Sequence, residues 1–370
     1  MSAKPWSVWT ADSMMQRREE YTNKWAYDYG VLFKGIEEVY YKTGDEQYFK
    51  YIERTMDGFI DENGDIALYK NVNNIDHINL GKVVLFMYNN AIEEKKARYK
   101  KAADLLRDQL HNHPRTSDGV FWHKQIYPSQ IWLDGIYMGS PFYAQYIREI
   151  EGGTDFSDVT KQVINSFKHL YDEKTGLMHH AIDESREGFW CDKQTGLSEN
   201  YWERSIGWFA MACADLLDYL PENDKDKVAI ISIYEKVVDG MLKHRDAESG
   251  VWYQVVNMHD RKGNYKEATA SNMMVYSIAK GIVRGHLSRD KYLNEVKRSY
   301  QGILDEFITT TNNGRVNVNK NCQGAGLGPQ TNTNRDGSFA YYISEPIVSN
   351  NPFGSGSFIL ASIFMEELLK

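Results

Sequence analysis

Apolar residues recur at spacings of three and four along most of the chain, the period of an amphipathic helix. The pattern predicts helices over roughly 8–22, 27–43, 45–61, 76–94, 95–111, 134–151, 155–172, 199–219, 224–245, 267–287, 290–309 and 355–369. Most of the eight prolines fall between these segments, as expected of a residue that cannot continue a helix.

A repeat lies on top of this pattern. Helices are joined in pairs by short polar turns, such as YYKTGDEQY from Tyr40, and a longer excursion follows most pairs. Four excursions share a polar turn with glycine that leads into a short alternating run, at Gly119, Gly176, Gly250 and Gly314. The unit is a helical hairpin plus a stretch of strand or loop character. Six such hairpins cannot bury their apolar faces as isolated pairs. An open stack would need polar caps at both ends, yet the last segment, GSFILASIFMEELL, is apolar on most sides. A closed ring removes that exposed end. The expected fold is all-α: an (α/α)6 toroid of six inner and six outer helices. No Pro/Ser-rich linker interrupts the chain, so residues 1–370 are expected to form a single domain.

In such a ring the inner helices run parallel and their N-termini gather at one mouth. Those starts are expected near Tyr27, Asp76, Asp134, Tyr201, Ala270 and Ser355. Unpaired backbone N–H groups there suit an anionic ligand, even on an acidic protein. The protein is acidic: 43 basic against 51 acidic residues give a net charge of −8. Without a basic block, wholesale binding to nucleic acid or to an anionic membrane surface is not expected. No apolar run reaches the ~18 residues of a spanning helix. The N-terminal stretch lacks an apolar signal core, so the expected compartment is the cytoplasm, or the periplasm if a leader has been removed. Cys191, Cys213 and Cys322 are too few and scattered for a disulfide framework or a structural zinc site. Aromatic residues make up 13% of the chain, which fits a large core and also a cleft where rings stack on sugar faces.

Candidate chemistry clusters at the expected helix starts. Asp76 and His77 precede one; His123, Lys124, Trp132 and Asp134 precede another; Trp202, Glu203, Arg204 and Trp208 open a third. The excursion that leads into this third helix supplies His179 and His180, and Tyr27 opens the first inner helix. Each has a bland reading: the aspartates as N-caps, Arg204 and Trp208 as a cation–π pair on one helix face, the histidines as hydrogen-bonded core residues. Their coincidence at one mouth favours a site. No metal is expected, because neither His179–His180 nor His111-x-His113 has helical zinc-site spacing. The GAGLG run, Gly324 to Gly328, lacks the strand–turn–helix context of a nucleotide loop, so no cofactor is expected.

The elements NNIDHINLGK, WLDGIYMGSPF, WERSIGWFAM and YYISEPIVSNNPFGSGSFILA resemble the unsaturated rhamnogalacturonyl hydrolases of glycoside hydrolase family 105. They are more distantly similar to the unsaturated glucuronyl hydrolases of family 88. The resemblance runs from about Trp25 to the C-terminus and implies the same (α/α)6 barrel. It implies removal of a terminal 4,5-unsaturated uronic acid from lyase-generated oligosaccharides of pectin or rhamnogalacturonan type. The bond breaks through hydration of the C4=C5 vinyl ether. By position, Asp134 would be the general acid and base and Asp76 the second acid. Tyr27, His123, Lys124, Trp132, His180, Trp202, Arg204 and Trp208 would bind substrate. To act first as an acid Asp134 must be protonated, and burial among Trp132, Trp202 and Trp208 would favour that form. The last loop departs from the family pattern: Asn350-Asn351-Pro352-Phe353-Gly354 places an aromatic where a polar partner stands. The long loop from Asn312 to Gly337 is expected to cover part of the mouth.

Other readings stay open at this point. The substrate could come from another lyase-cleaved polysaccharide. An ordinary hydrolase on the same ring would need a second group such as Glu203 or His180. A sugar-binding toroid without catalysis would keep the tryptophans and tolerate loss of the Asp134 carboxyl.

Overall fold

The computed structural model describes residues 4–370, and the first three residues of the expected domain lie outside it. Its helices are α1 (Trp6–Arg17), α2 (Tyr27–Thr43), α3 (Glu46–Phe59), α4 (Gly81–Asn90), α5 (Glu93–Asn112), α6 (Leu133–Glu149) and α7 (Ser157–Leu170). They continue as α8 (Glu203–Leu216), α9 (Lys227–Lys243), α10 (Ala268–Val283), α11 (Arg289–Phe307), the short α12 (Phe339–Ser344) and α13 (Pro352–Leu368). Helices α2, α4, α6, α8, α10 and α13 pack side by side into a closed inner ring, with α13 returning to α2. Helices α3, α5, α7, α9 and α11 back the inner helix that precedes each in the chain, and α1 backs α13. This is the (α/α)6 toroid expected from the periodicity.

Burial explains which helices are inner. Every residue of α6 from Leu133 to Ile147 is buried, as is every residue of α8. Outer helices bury one stripe; α3 buries Tyr48, Tyr51, Ile52, Thr55, Met56 and Phe59 and exposes the rest to varying degrees. The terminal α13, apolar on most sides, is covered on both flanks by α2 and α10 and from outside by α1, so ring closure hides what an open stack would expose.

The excursions form small antiparallel pairs. Tyr171–Asp172 pairs with Leu177–Met178, and Ile308–Thr310 with Val316–Val318. The four repeat glycines all have positive φ, between 76° and 89°, which turns these excursions tightly. Two other pairings reach further, the first between separate excursions and the second within the long last one. Gln130–Trp132 pairs with Ala181–Asp183, and Asn321–Cys322 with Ile347–Val348.

Three elements differ most from expectation: the short α12 is additional, α1 ends at Arg17 and not near 22, and α4 starts late. The helix read as 76–94 begins only at Gly81, and a single 3-10 turn, Ile75–Ile78, stands before it. Asn74 caps that turn by accepting from the Asp76 N–H. The Asn79 side chain then donates to the Tyr27 carbonyl at 2.7 Å, tying the break to the start of α2. Asp76 therefore sits on a turn above the inner ring and not at a helix start. No helix among the described residues is long and apolar enough to cross a membrane.

Candidate active site

Backbone pairing between excursions assembles the site. The segment around Asn73–Ile75 runs against His123–Gln125: the Ile75 N–H donates to the His123 carbonyl, and the Gln125 N–H to the Asn73 carbonyl. This places Asp76 beside His123 and Lys124. The Lys124 ammonium lies 2.7 Å from Asp76 Oδ2, and His123 Nε2 lies 3.7 Å from Oδ1. Burial pushes the Asp76 carboxyl up, but Lys124 and His123 outweigh it and hold it below the usual carboxylate range. Burial pulls the Lys124 ammonium down, and Asp76 more than restores it. The His123 imidazole is lowered to about 4, chiefly by burial, with Asp76 opposing.

The second pairing brings His180 to Asp134. The Leu133 N–H donates to the His180 carbonyl at 3.1 Å, which continues the Trp132–Ala181 register. His180 Nε2 then lies 3.1 Å from Asp134 Oδ2. The two atoms are buried and near one another, yet neither has an aligned hydrogen-bond partner. Such loose geometry is common at a site that tightens around its ligand. Asp134 is 9% exposed. It is the second residue of α6, and Trp132 occupies the cap position without a side-chain cap bond. The capping reading of Asp134 is thus excluded by geometry. The Asp76 carboxylate is likewise engaged with Lys124 and not with a helix end.

Trp132 links the two halves. Its ring stacks on His123 at 4.4 Å and on Tyr127 at 4.7 Å between centroids, and its edge meets His180 at 5.3 Å. Gly135 allows this approach, because a Cβ there would lie 3.1 Å from His123 Nδ1. Gly326, in the run read as an unlikely nucleotide loop, passes directly over Trp132; a Cβ would meet the ring at 3.2 Å. The covering segment reaches the site, but it begins beyond the 308–318 hairpin, later than the expected Asn312.

Tyr27 and Phe353 link Trp208 to Arg204. Tyr27 stacks on Phe353 at 6.1 Å and meets Trp208 edge-on at 6.2 Å. Burial holds its phenol well above the usual range, and Asp76 and Asp134 are among the carboxylates that add to this. Arg204 does not lie over Trp208, as the helix-face reading had it. Its guanidinium covers Phe353 at 4.4 Å and Trp202 at 5.5 Å. Its Nη2 donates to Glu267 Oε1 and to the Cys322 carbonyl, both at 2.7 Å, while Nε is buried without a partner. One nitrogen of the guanidinium is therefore engaged within the protein, and Nε is left without a partner. Trp202 stacks on Tyr342 and Trp208 on Tyr137, so little of either ring stays open for a sugar.

Glu203 is fully buried against α10. Its Oε1 accepts from Ser271 Oγ on α10, and burial with Glu267 beside it holds the carboxyl far above the usual range. Residues that the sequence reading gave no role also build the site: Glu267, Gln254 and, inside the YYISEP element, Tyr342. Glu267 is an N-cap acid on α10, accepting from the Ala270 N–H, and its place before an apolar run was the one available signal. Among the described residues no group of three or more metal-binding side chains occurs.

Comparison with known proteins bears on the family of the chain. The model of glycosyl hydrolase family 88 matches residues 6–369. A family 105 glycoside hydrolase from C. acetobutylicum is 47% identical, with a TM-score of 0.95 over 98% of this chain and 100% of that one. The unsaturated rhamnogalacturonyl hydrolase YesR of Bacillus subtilis is 26% identical over 85% of this chain and 86% of its own length. The unsaturated glucuronyl hydrolase of Bacillus sp. GL1 shares the fold at 15% identity and a TM-score of 0.66, covering 97% of this chain and 95% of that one. The resemblance to family 105 read from the motifs is borne out, and this chain belongs to the family 88 and family 105 glycoside hydrolases.

Proposed function

We propose that the protein removes a terminal 4,5-unsaturated uronic acid from lyase-generated oligosaccharides by hydrating the C4=C5 bond, with Asp134 as acid and base. The whole ring, from α1 to α13, acts as one catalytic domain. The observation that carries the reading is the Asp134 carboxyl: buried, not a cap, and with Oδ2 unpaired beside His180.

Hydration needs only one positioned carboxyl group. Protonated Asp134 gives its hydrogen to C4, and positive charge develops at C5 and the ring oxygen. The Asp134 carboxylate then takes a proton from the water that adds at C5. The hemiketal so formed opens, the neighbouring sugar leaves, and a 4-deoxy-5-keto uronate remains. Atoms balance with one water consumed and Asp134 protonated again. Asp76 is already an anion bound to Lys124, so it suits sugar hydroxyls and electrostatic support better than proton donation. The names of the relatives support an unsaturated uronyl substrate. Phe353, stacked on Tyr27 at the mouth, supports an apolar border for the leaving sugar.

The test follows two signals with lyase-generated pectin disaccharides. Loss of ultraviolet absorbance from the conjugated double bond, in step with sugar release, is the expected result. Sugar release with the absorbance retained in the free uronate would mean ordinary hydrolysis.

A further inference from the structure

Hydrogen bonding on the far side of His180 carries a step more, which rests on the reading of Asp134 as the proton donor. The phenol oxygen of Tyr342, on α12, lies 2.7 Å from His180 Nδ1, across 162 residues of chain. Among the described residues this phenol has no other hydrogen-bond partner. Tyr342 is fully buried, and burial keeps it in the O–H form. A phenol has a single hydrogen to give, and Nδ1 is the acceptor in reach. Nδ1 must then present its lone pair, so in the neutral ring the hydrogen sits on Nε2. Nε2 is the atom that faces Asp134 Oδ2.

We propose that Tyr342 is a positioning residue that fixes His180 as the Nε2–H tautomer, so that His180 donates to Asp134 Oδ2 and leaves the other carboxylate oxygen to exchange a proton with substrate. The opposite tautomer would turn a lone pair toward Oδ2. It would repel the carboxylate, and it would draw the acid's hydrogen toward imidazole and away from the alkene.

The surrounding structure holds both partners still. The Tyr342 ring stacks on Trp202 at 5.9 Å with 22° between planes. Its carbonyl accepts from Gln254 Nε2 at 2.9 Å, and Gln254 Oε1 accepts from Trp202 Nε1 at 3.2 Å. His180 is pinned from the other end by the Leu133 N–H. The phenol is delivered by the segment that covers the mouth, and the imidazole by the excursion that pairs with residues 130–132.

The experiment reads the tautomer directly, on the full chain without substrate. Long-range proton–nitrogen correlation on 15N-histidine protein, with His180 assigned by its loss in H180Q, should show hydrogen on Nε2. In Y342F the two tautomers should mix. Its kcat should fall by about tenfold or more with KM within about threefold, since the phenol touches no substrate. A wild-type His180 that carries its hydrogen on Nδ1 overturns the proposal, whatever the variant does. So does a Y342F protein with unchanged tautomer and unchanged kcat. If Y342F fails to fold, the wild-type spectrum decides alone. If the wild type leaves the unsaturated substrate intact, the functional reading fails, and the tautomer measurement still decides the role of Tyr342.

Discussion

Arg204 Nη2 donates to Glu267 Oε1 at 2.7 Å, with both side chains out of solvent between α8 and the start of α10. Glu267 also accepts from the Cys322 and Ala270 N–H groups, so it ties the covering segment to the ring. Removing one partner of such a buried pair leaves the other charge unpaired, at a cost of about 3–5 kcal/mol. E267Q keeps the shape and an acceptor, and it should lower the denaturation midpoint accordingly. The double variant R204M/E267Q should cost less than E267Q alone. A loss below about 1 kcal/mol in E267Q would mean that the charges are not coupled.

His123 gives the protein a pH dependence of predictable sign. Its folded pKa, about 4, lies below the unfolded value because burial disfavours the imidazolium. Between these values the unfolded chain binds more protons, so stability falls as pH drops from about 6.5 toward 4, by on the order of 3 kcal/mol at full effect. Denaturant titrations at several pH values should show H123Q losing less stability than wild type across this window. Parallel curves for the two proteins would contradict the assignment.

Lys82 lies deeper in the barrel, with its ammonium 3.8 Å from the centre of the Tyr137 ring and no hydrogen-bond partner. Burial pulls its pKa down to about 7, with Asp215 opposing. At pH 7 and below the folded protein bears the cost of that buried charge. Between about 7 and the unfolded value near 10.4 the unfolded chain binds the extra proton, and stability rises with pH. K82M should therefore stabilise at and below pH 7, and the gain should vanish above pH ~10.4. Equal stabilisation at both ends of the range would show that the lysine's charge is not the cause.

The helices of the ring were legible because each inner helix alternates with an outer one whose buried stripe has a clear period, as in α3 with Tyr48, Tyr51, Ile52 and Thr55. The break before α4 was harder to see, because Ile75 and Ile78 keep a helical spacing and so do Leu80, Val83 and Val84, with just a two-residue step from Ile78 to Leu80 between the two sets. The tertiary bond from Asn79 to the Tyr27 carbonyl holds the chain where it turns. At the site, Asp134, Asp76, His123 and Lys124 could be picked from position and residue type. Their pairing could not, since it depends on backbone contacts between excursions. Arg204 shows the limit of reading one helix face: its partners, Glu267 and Phe353, come from two other inner-helix starts. Tyr342 reaches His180 from another excursion, with no periodic relation to announce it.

The proton on Asp134 is the centre of the account, and the decisive comparison is wild type against D134N on one unsaturated disaccharide, following the double-bond absorbance under single turnover and binding by calorimetry. General acid and base help of this kind is worth about 10²–10⁴-fold, so D134N should lose at least that much rate while binding substrate within a few-fold of wild type. A D134N protein that still consumes the double bond at the wild-type rate would place the acid elsewhere.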